Sequence, residues 1–103
     1  MTTSHTRLTP AARTAQLIDV ALKLAAKHGL ANIRRDQIAE AADVSQGLVT
    51  ERLGTMTEMR RTVMRQAVQR EILPIIAEGL ACKDKAALKA PAALKARALA
   101  SLA

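Results

Sequence analysis

Apolar positions fall at helical spacing in successive segments of the chain. Leu17, Ile18, Ala21, Leu22, Leu24 and Ala25 make one side of a first helix. Thr9 and Pro10 open it, as an N-cap and a proline at the first helical position, and Gly29 closes it after His28. Leu30 to Ile33 reads as a connector with both apolar ends packed down. Two short helices follow, 35 to 42 and 46 to 53. The first carries Ile38, Ala39 and Ala42, and the second carries Val49 and Leu53 four apart. Thr55 to Glu58 is a capping box for a fourth helix, with Met59, Val63, Ala67 and Ile72 inward. Pro74 predicts a break and a new helix to about Ala81. Gly79 and the polar run 83 to 85 predict a connector, and Pro91 a last helix over 91–102.

The stretch 35–54 organises the rest. Ser45 is a good N-cap for the helix that follows it. Ala39 is small where two helices must cross closely. Asp43 stands where the turn wants a left-handed backbone, which few residues other than glycine tolerate. Val49 returns the second helix to the core. The spacing suits a helix-turn-helix; two ordinary amphipathic helices in an all-α domain are the alternative. The fold class is all-α: a three-helix helix-turn-helix domain, a fourth helix and short C-terminal helices. The expected divisions are a flexible arm at 1–8, the helix-turn-helix domain at 9–54 and a C-terminal helical segment at 55–103.

From Arg13 to Met64 the chain resembles the DNA-binding domain of the TetR family of repressors. The residues that carry the likeness are Ile18, Ala21, Gly29-Leu30, the run from Ile38 to Val49, Gly54-Thr55 and Glu58. The resemblance implies that helix 46–53 enters the major groove of double-stranded DNA. It also implies that the start of helix 35–42 lies beside the phosphate backbone. Several positions depart from the family. It usually has an aromatic at Ala25 and Leu53, Tyr at Thr50, Thr or Ser at Arg34, Lys at Met56 and Gly at Asp43. Its members are usually about twice as long, the remainder being a helical domain that binds inducers, so a regulator without that domain is expected.

Composition narrows the partner. The formal net charge is +7 and the sequence holds no Phe, Tyr or Trp. A polyanion is favoured, and the lack of rings argues against single-strand and RNA modules, which stack bases on aromatics. Large apolar side chains are Leu, Ile, Val and Met alone, which favours a second chain to supply burial. Cys82 is the single cysteine, and His5 and His28 lie far apart, so neither a disulfide nor a structural zinc set is expected. The N-terminal decapeptide lacks the apolar run of a signal peptide, no stretch suits a membrane span, and a cytoplasmic setting is expected. No phosphate loop, nucleophile elbow or metalloprotease motif occurs. Asp36 and Glu40 share a helix face beside Arg34 and Arg35 as surface ion pairs. No enzyme activity and no cofactor are expected.

The candidate site follows. Gln46, Gly47, Leu48, Thr50 and Glu51 are the expected base readers: Gln46 for adenine, Leu48 for a thymine methyl, Glu51 for cytosine N4. Arg34, Arg35 and Arg52 are the expected phosphate contacts, with the Thr57 backbone N–H and the hydroxyls of Ser45 and Thr50. The basic face of the fourth helix beyond its first turn is expected to be solvated. Dimerisation is expected on Ile75, Ile76, Leu80, Leu94, Leu99 and Leu102; folding of both stripes onto the chain's own core is the alternative. The leading expectation is a homodimeric transcriptional repressor on an inverted-repeat operator. A helical protein-interaction module and a non-specific architectural DNA binder are the other readings, and a protein co-regulator is a further expected partner.

Overall fold

The computed structural model describes residues 8 to 102, and over them every regular element is a helix. The arm expected at 1–8 lies, except for Leu8, outside the described residues. Helix α1 is Pro10–His28. Thr9 Oγ1 accepts from the Ala12 N–H at 3.1 Å, and the Gly29 N–H, at φ 95°, donates to the Ala25 carbonyl. A 3-10 turn, Leu30–Asn32, leads to α2, Arg35–Ala42, and then to α3, Gln46–Leu53. Helix α4, Met56–Gln69, starts on the expected capping box: Thr55 Oγ1 accepts from the Glu58 N–H at 3.1 Å, and Glu58 Oε1 from the Thr55 N–H at 2.9 Å. Helix α5, Leu73–Ala81, carries Pro74 in its first turn, where the missing N–H costs no intrahelical bond. Two short helices close the chain, α6 at Lys85–Leu88 and α7 at Ala92–Ala100.

Three helices end on a non-glycine residue in the left-handed region: Asp43 at φ 57°, Glu71 at φ 56° and Lys83 at φ 58°. Each makes the same paired bonds. After α2 the Asp43 N–H donates to the Glu40 carbonyl and the Val44 N–H to the Ala39 carbonyl. After α4, Glu71 and Ile72 donate to Val68 and Ala67; after α5, Lys83 and Asp84 donate to Leu80 and Gly79. These are Schellman closures, which satisfy carbonyls the helix end leaves open and turn the chain sharply. Asp43 was legible as such a position, while Glu71 and Lys83 carry no local signal for it.

One apolar core runs through both halves of the chain. Leu17, Ala21, Ile33, Ile38, Val49, Met59, Val63 and Met64 share it with Ile75 and Ile76. This corrects the expected dimer stripe. Ile75 and Ile76 are fully buried within the chain, Leu94 is buried and Leu80 is half-buried, whereas Leu99 and Leu102 are 54% and 68% exposed. The reason is volume: a core without rings draws on the isoleucines of α5 to fill the space between α1 and α4. Glu78 fastens this helix to the first half. Its carboxylate accepts from the Leu30 N–H at 2.6 Å and the Ala31 N–H at 2.9 Å, capping the 3-10 turn from another element. Hydrogen bonds to a charged group contribute roughly 1.5–3 kcal/mol each.

The expected connector around Gly79 is also corrected. Gly79 lies buried inside α5, and α6 follows at once because Asp84 Oδ1 accepts from the Ala86 and Ala87 N–H groups. A Cβ on Gly79 would stand 2.7 Å from Ala87 Cβ and 2.6 Å from Met64 Cε. The methionine end can swing away, but the alanine methyl moves only if α6 moves. Gly79 is therefore a packing residue that seats α6 against α5 and α4. Alanine is about 1 kcal/mol better than glycine in a helix interior, yet overpacking a tight contact costs about 1–3 kcal/mol. Gly79→Ala is expected to lower the urea midpoint with the m-value unchanged. A raised midpoint would show that α6 is not held there.

Candidate nucleic-acid interface

The α2–α3 unit is set from inside. Ile38 and Val49 are buried to within 1% exposure and Ala39 to 5%, and the two helices pack against each other. The Asp43–Val44 closure fixes the turn, and Ser45 Oγ accepts from the Leu48 N–H at 3.1 Å to start α3. With Val49 and Leu53 turned into the core, the opposite edge of α3 faces out. Ser45, Gln46, Gly47, Thr50 and Glu51 are exposed there, and Leu48 and Arg52 are half-buried. The Thr50 hydroxyl donates to the Gln46 carbonyl at 3.2 Å, keeping its lone pairs outward. Leu48 offers only part of its side chain.

Gly47 has no reason inside the chain. A Cβ there would meet only Ser45 Oγ, at 3.8 Å. Its φ is not in the left-handed region, unlike those of Gly29 and Gly54. A glycine in a helix costs roughly 0.5–1 kcal/mol relative to alanine, and nothing the fold gains at this position offsets it.

Cations flank the N-terminal end of α3. Arg34, Arg35, Gln46, Met56 and Arg60 share the wall of an open groove of about 750 Å³. Arg34 Nε donates to Asp36 Oδ1 at 3.1 Å, and that hydrogen bond holds the Asp36 carboxyl below the ordinary aspartate range. Arg35 is half-buried and makes no ion pair among the described residues. Arg60 is the member that sequence reasoning missed. It stands one turn into α4, on a face expected to be solvated, and only the groove it shares with the start of α2 reveals it. Its Nε is buried without an acceptor, as is that of Arg52. Arg52 pairs with its neighbour Glu51 at 3.0 Å, so this cation arrives at the surface partly compensated.

The Thr57 N–H belongs to the first turn of α4, where donors have no intrahelical partner. The capping box occupies the Thr55 and Glu58 groups and leaves this one open. The backbone N–H of Thr55 holds the Glu58 carboxyl below the ordinary glutamate range, with lesser help from the nearby Arg61 charge. Of the expected site residues, Arg34, Arg35 and Gln46 line one groove, and Glu51 and Arg52 line another at the far end of α3. The structure does not bring the dimerisation residues together, since half of them are interior.

Among the described residues no group of His, Cys, Asp and Glu could hold a metal ion, and no helix is long and apolar enough to cross a membrane. No protein-family model, curated protein or solved structure matches the chain.

If the groove holds a DNA phosphate, Arg35→Gln and Arg60→Gln should each weaken binding to all duplex sequences alike. Each should also flatten the dependence of log affinity on log salt by about 0.9. Unchanged slopes would mean that these cations are solvated.

Proposed function

We propose that the chain is a sequence-specific regulator of transcription that binds double-stranded DNA through α3. The observation that carries this reading is the exposed edge of Gln46, Gly47, Thr50 and Glu51, beside a groove with three arginines. Gln46 and Arg35 divide the work: the amide reads a base edge and the guanidinium positions the helix on the backbone. The likeness of 13–64 to TetR-family DNA-binding domains supports the same assignment and adds the expectation of a homodimeric repressor on an inverted repeat, at work in the cytoplasm.

The dimer proposal now rests on a different surface. Leu88, Leu99 and Leu102 are the large apolar side chains exposed on the C-terminal segment, at 46%, 54% and 68%. They are the apolar material left for an isologous contact once Ile75, Ile76 and Leu94 serve the core. The same leucines would serve a helical protein-interaction module, and this second reading predicts a heterologous partner in place of the second copy.

Gln46→Ala is expected to reduce affinity for a duplex selected from a random pool by about 1–3 kcal/mol, the range for a bidentate base contact. It should also relax the preference at one base position. A selected consensus identical to that of the parent chain would remove Gln46 from the readers. For assembly, the full chain should sediment as a dimer at micromolar concentration, and Leu99→Glu with Leu102→Glu should give a folded monomer. A monomer both free and on DNA would sink the dimer.

A further inference from the structure

The seating of α6 by Gly79 aligns two pairs of cations. Arg61 and Arg65 are one turn apart on α4, and Lys85 and Lys89 one turn apart at α6; all four are exposed. They line one open groove of about 600 Å³, together with Asp84 and Ala86. Asp84 is the single carboxylate in that lining, and its Oδ1 is already engaged by the Ala86 and Ala87 N–H groups. None of the four cations makes an ion pair among the described residues. Arg61 and Arg65 also line a second groove, of about 460 Å³, which reaches Arg52 and Gly54 at the C-terminal end of α3. Of the two acids in that groove, Glu51 pairs with Arg52, and Glu58 caps the Thr55 N–H while keeping its charge near Arg61, so the three arginines still outnumber the acids. The cationic strip is therefore continuous from the end of the recognition helix across α4 to α6.

We infer that this strip is a second phosphate-binding surface, which holds the backbone of the duplex that α3 engages and lengthens the contact beyond the recognition helix. It rests on the DNA-binding reading above. Phosphate suits the strip better than an acidic polypeptide does. Ala86 is the only apolar residue lining the outer groove, so a peptide would find no pocket for an anchoring side chain. A phosphate backbone needs only spaced cations, and two of these are guanidinium forks matched to phosphate oxygens.

The test uses the full chain and mixed-sequence duplexes of about one and about three helical turns, with affinity followed against salt. Arg61→Gln/Arg65→Gln and Lys85→Gln/Lys89→Gln are compared with the parent, and thermal melts establish that both fold. On the longer duplex each pair should flatten the log–log slope by about 1.8, from 0.9 per lost contact. On the shorter duplex neither should change it. Should the parent bind both duplexes while the variants match it on the longer one, the strip is not a DNA surface and the α3 reading survives. Equal flattening on both lengths also overturns the inference, because the cations then act as a general field. Loss of binding to polyglutamate with an unchanged DNA slope assigns the strip to an acidic protein instead. A parent that binds neither duplex overturns this inference and the DNA-binding reading together.

Discussion

The structure depends on close approach between helices, which a core without aromatic rings imposes. A buried aromatic ring removes about 150–250 Å² from water and can bridge widely spaced helices. Here the interior is filled by Leu, Ile, Val, Met and Ala alone. Good packing then requires small residues at the crossings, and they are present. Ala21 and Ala25 lie on α1, Ala39 at the α2–α3 crossing, Ala67 on α4, and Ala87 and Ala98 on the last two helices, all buried. Gly79 is the extreme case, where even a methyl group would collide with Ala87. The same constraint draws Ile75 and Ile76 inward, because short helices offer few large side chains each.

This packing positions the outer face. Ala39 is buried on α2, which packs against α3, and α3 leaves its Gln46–Glu51 edge outward. Glu78 acts at longer range. By holding the Leu30 and Ala31 N–H groups it fixes the turn that delivers Arg34 and Arg35 to the start of α2. A residue of α5 thereby places the cations proposed to touch phosphate, though it stands far from them in sequence. The C-terminal helices are part of what orients the helix-turn-helix, whatever else they contact.

Features written in neighbouring residues were legible in the sequence. The Thr9 and Ser45 caps, the Thr55–Glu58 box, the left-handed Asp43 and the bounds of α2 and α3 all follow from interactions within a few positions. What escaped is tertiary in origin. Gly79 looks like a helix breaker in sequence, and only Met64 and Ala87, brought in by the fold, make it a packing residue. Asp84 was hidden as a cap because it sits between two lysines. The Ile75–Ile76 stripe has the right periodicity for an interface, and periodicity cannot say which surface a stripe meets. Arg60 was unremarkable on α4 until the fold set it in one groove with Arg34 and Arg35.

The charge of the molecule carries the last step. The formal balance of +7 is distributed unevenly, and most of the acids have structural work. Asp19 and Glu71 pair with Arg70 and Arg97, Asp36 with Arg34, and Glu51 with Arg52. Glu58, Glu78 and Asp84 cap backbone N–H groups. Among the described residues Glu40 and Asp43 are the acids without such a partner, and both lie toward the C-terminal end of α2. Among the described residues Arg35, Arg60, Arg61, Arg65, Lys85 and Lys89 make no ion pair, and they line three grooves. At physiological salt, exposed charges act together only within about 8 Å, so clustering matters more than the total. The fold uses carboxylates to close its helices and tie its elements, while a subset of its cations lines the neighbouring grooves beside α3, α4 and α6.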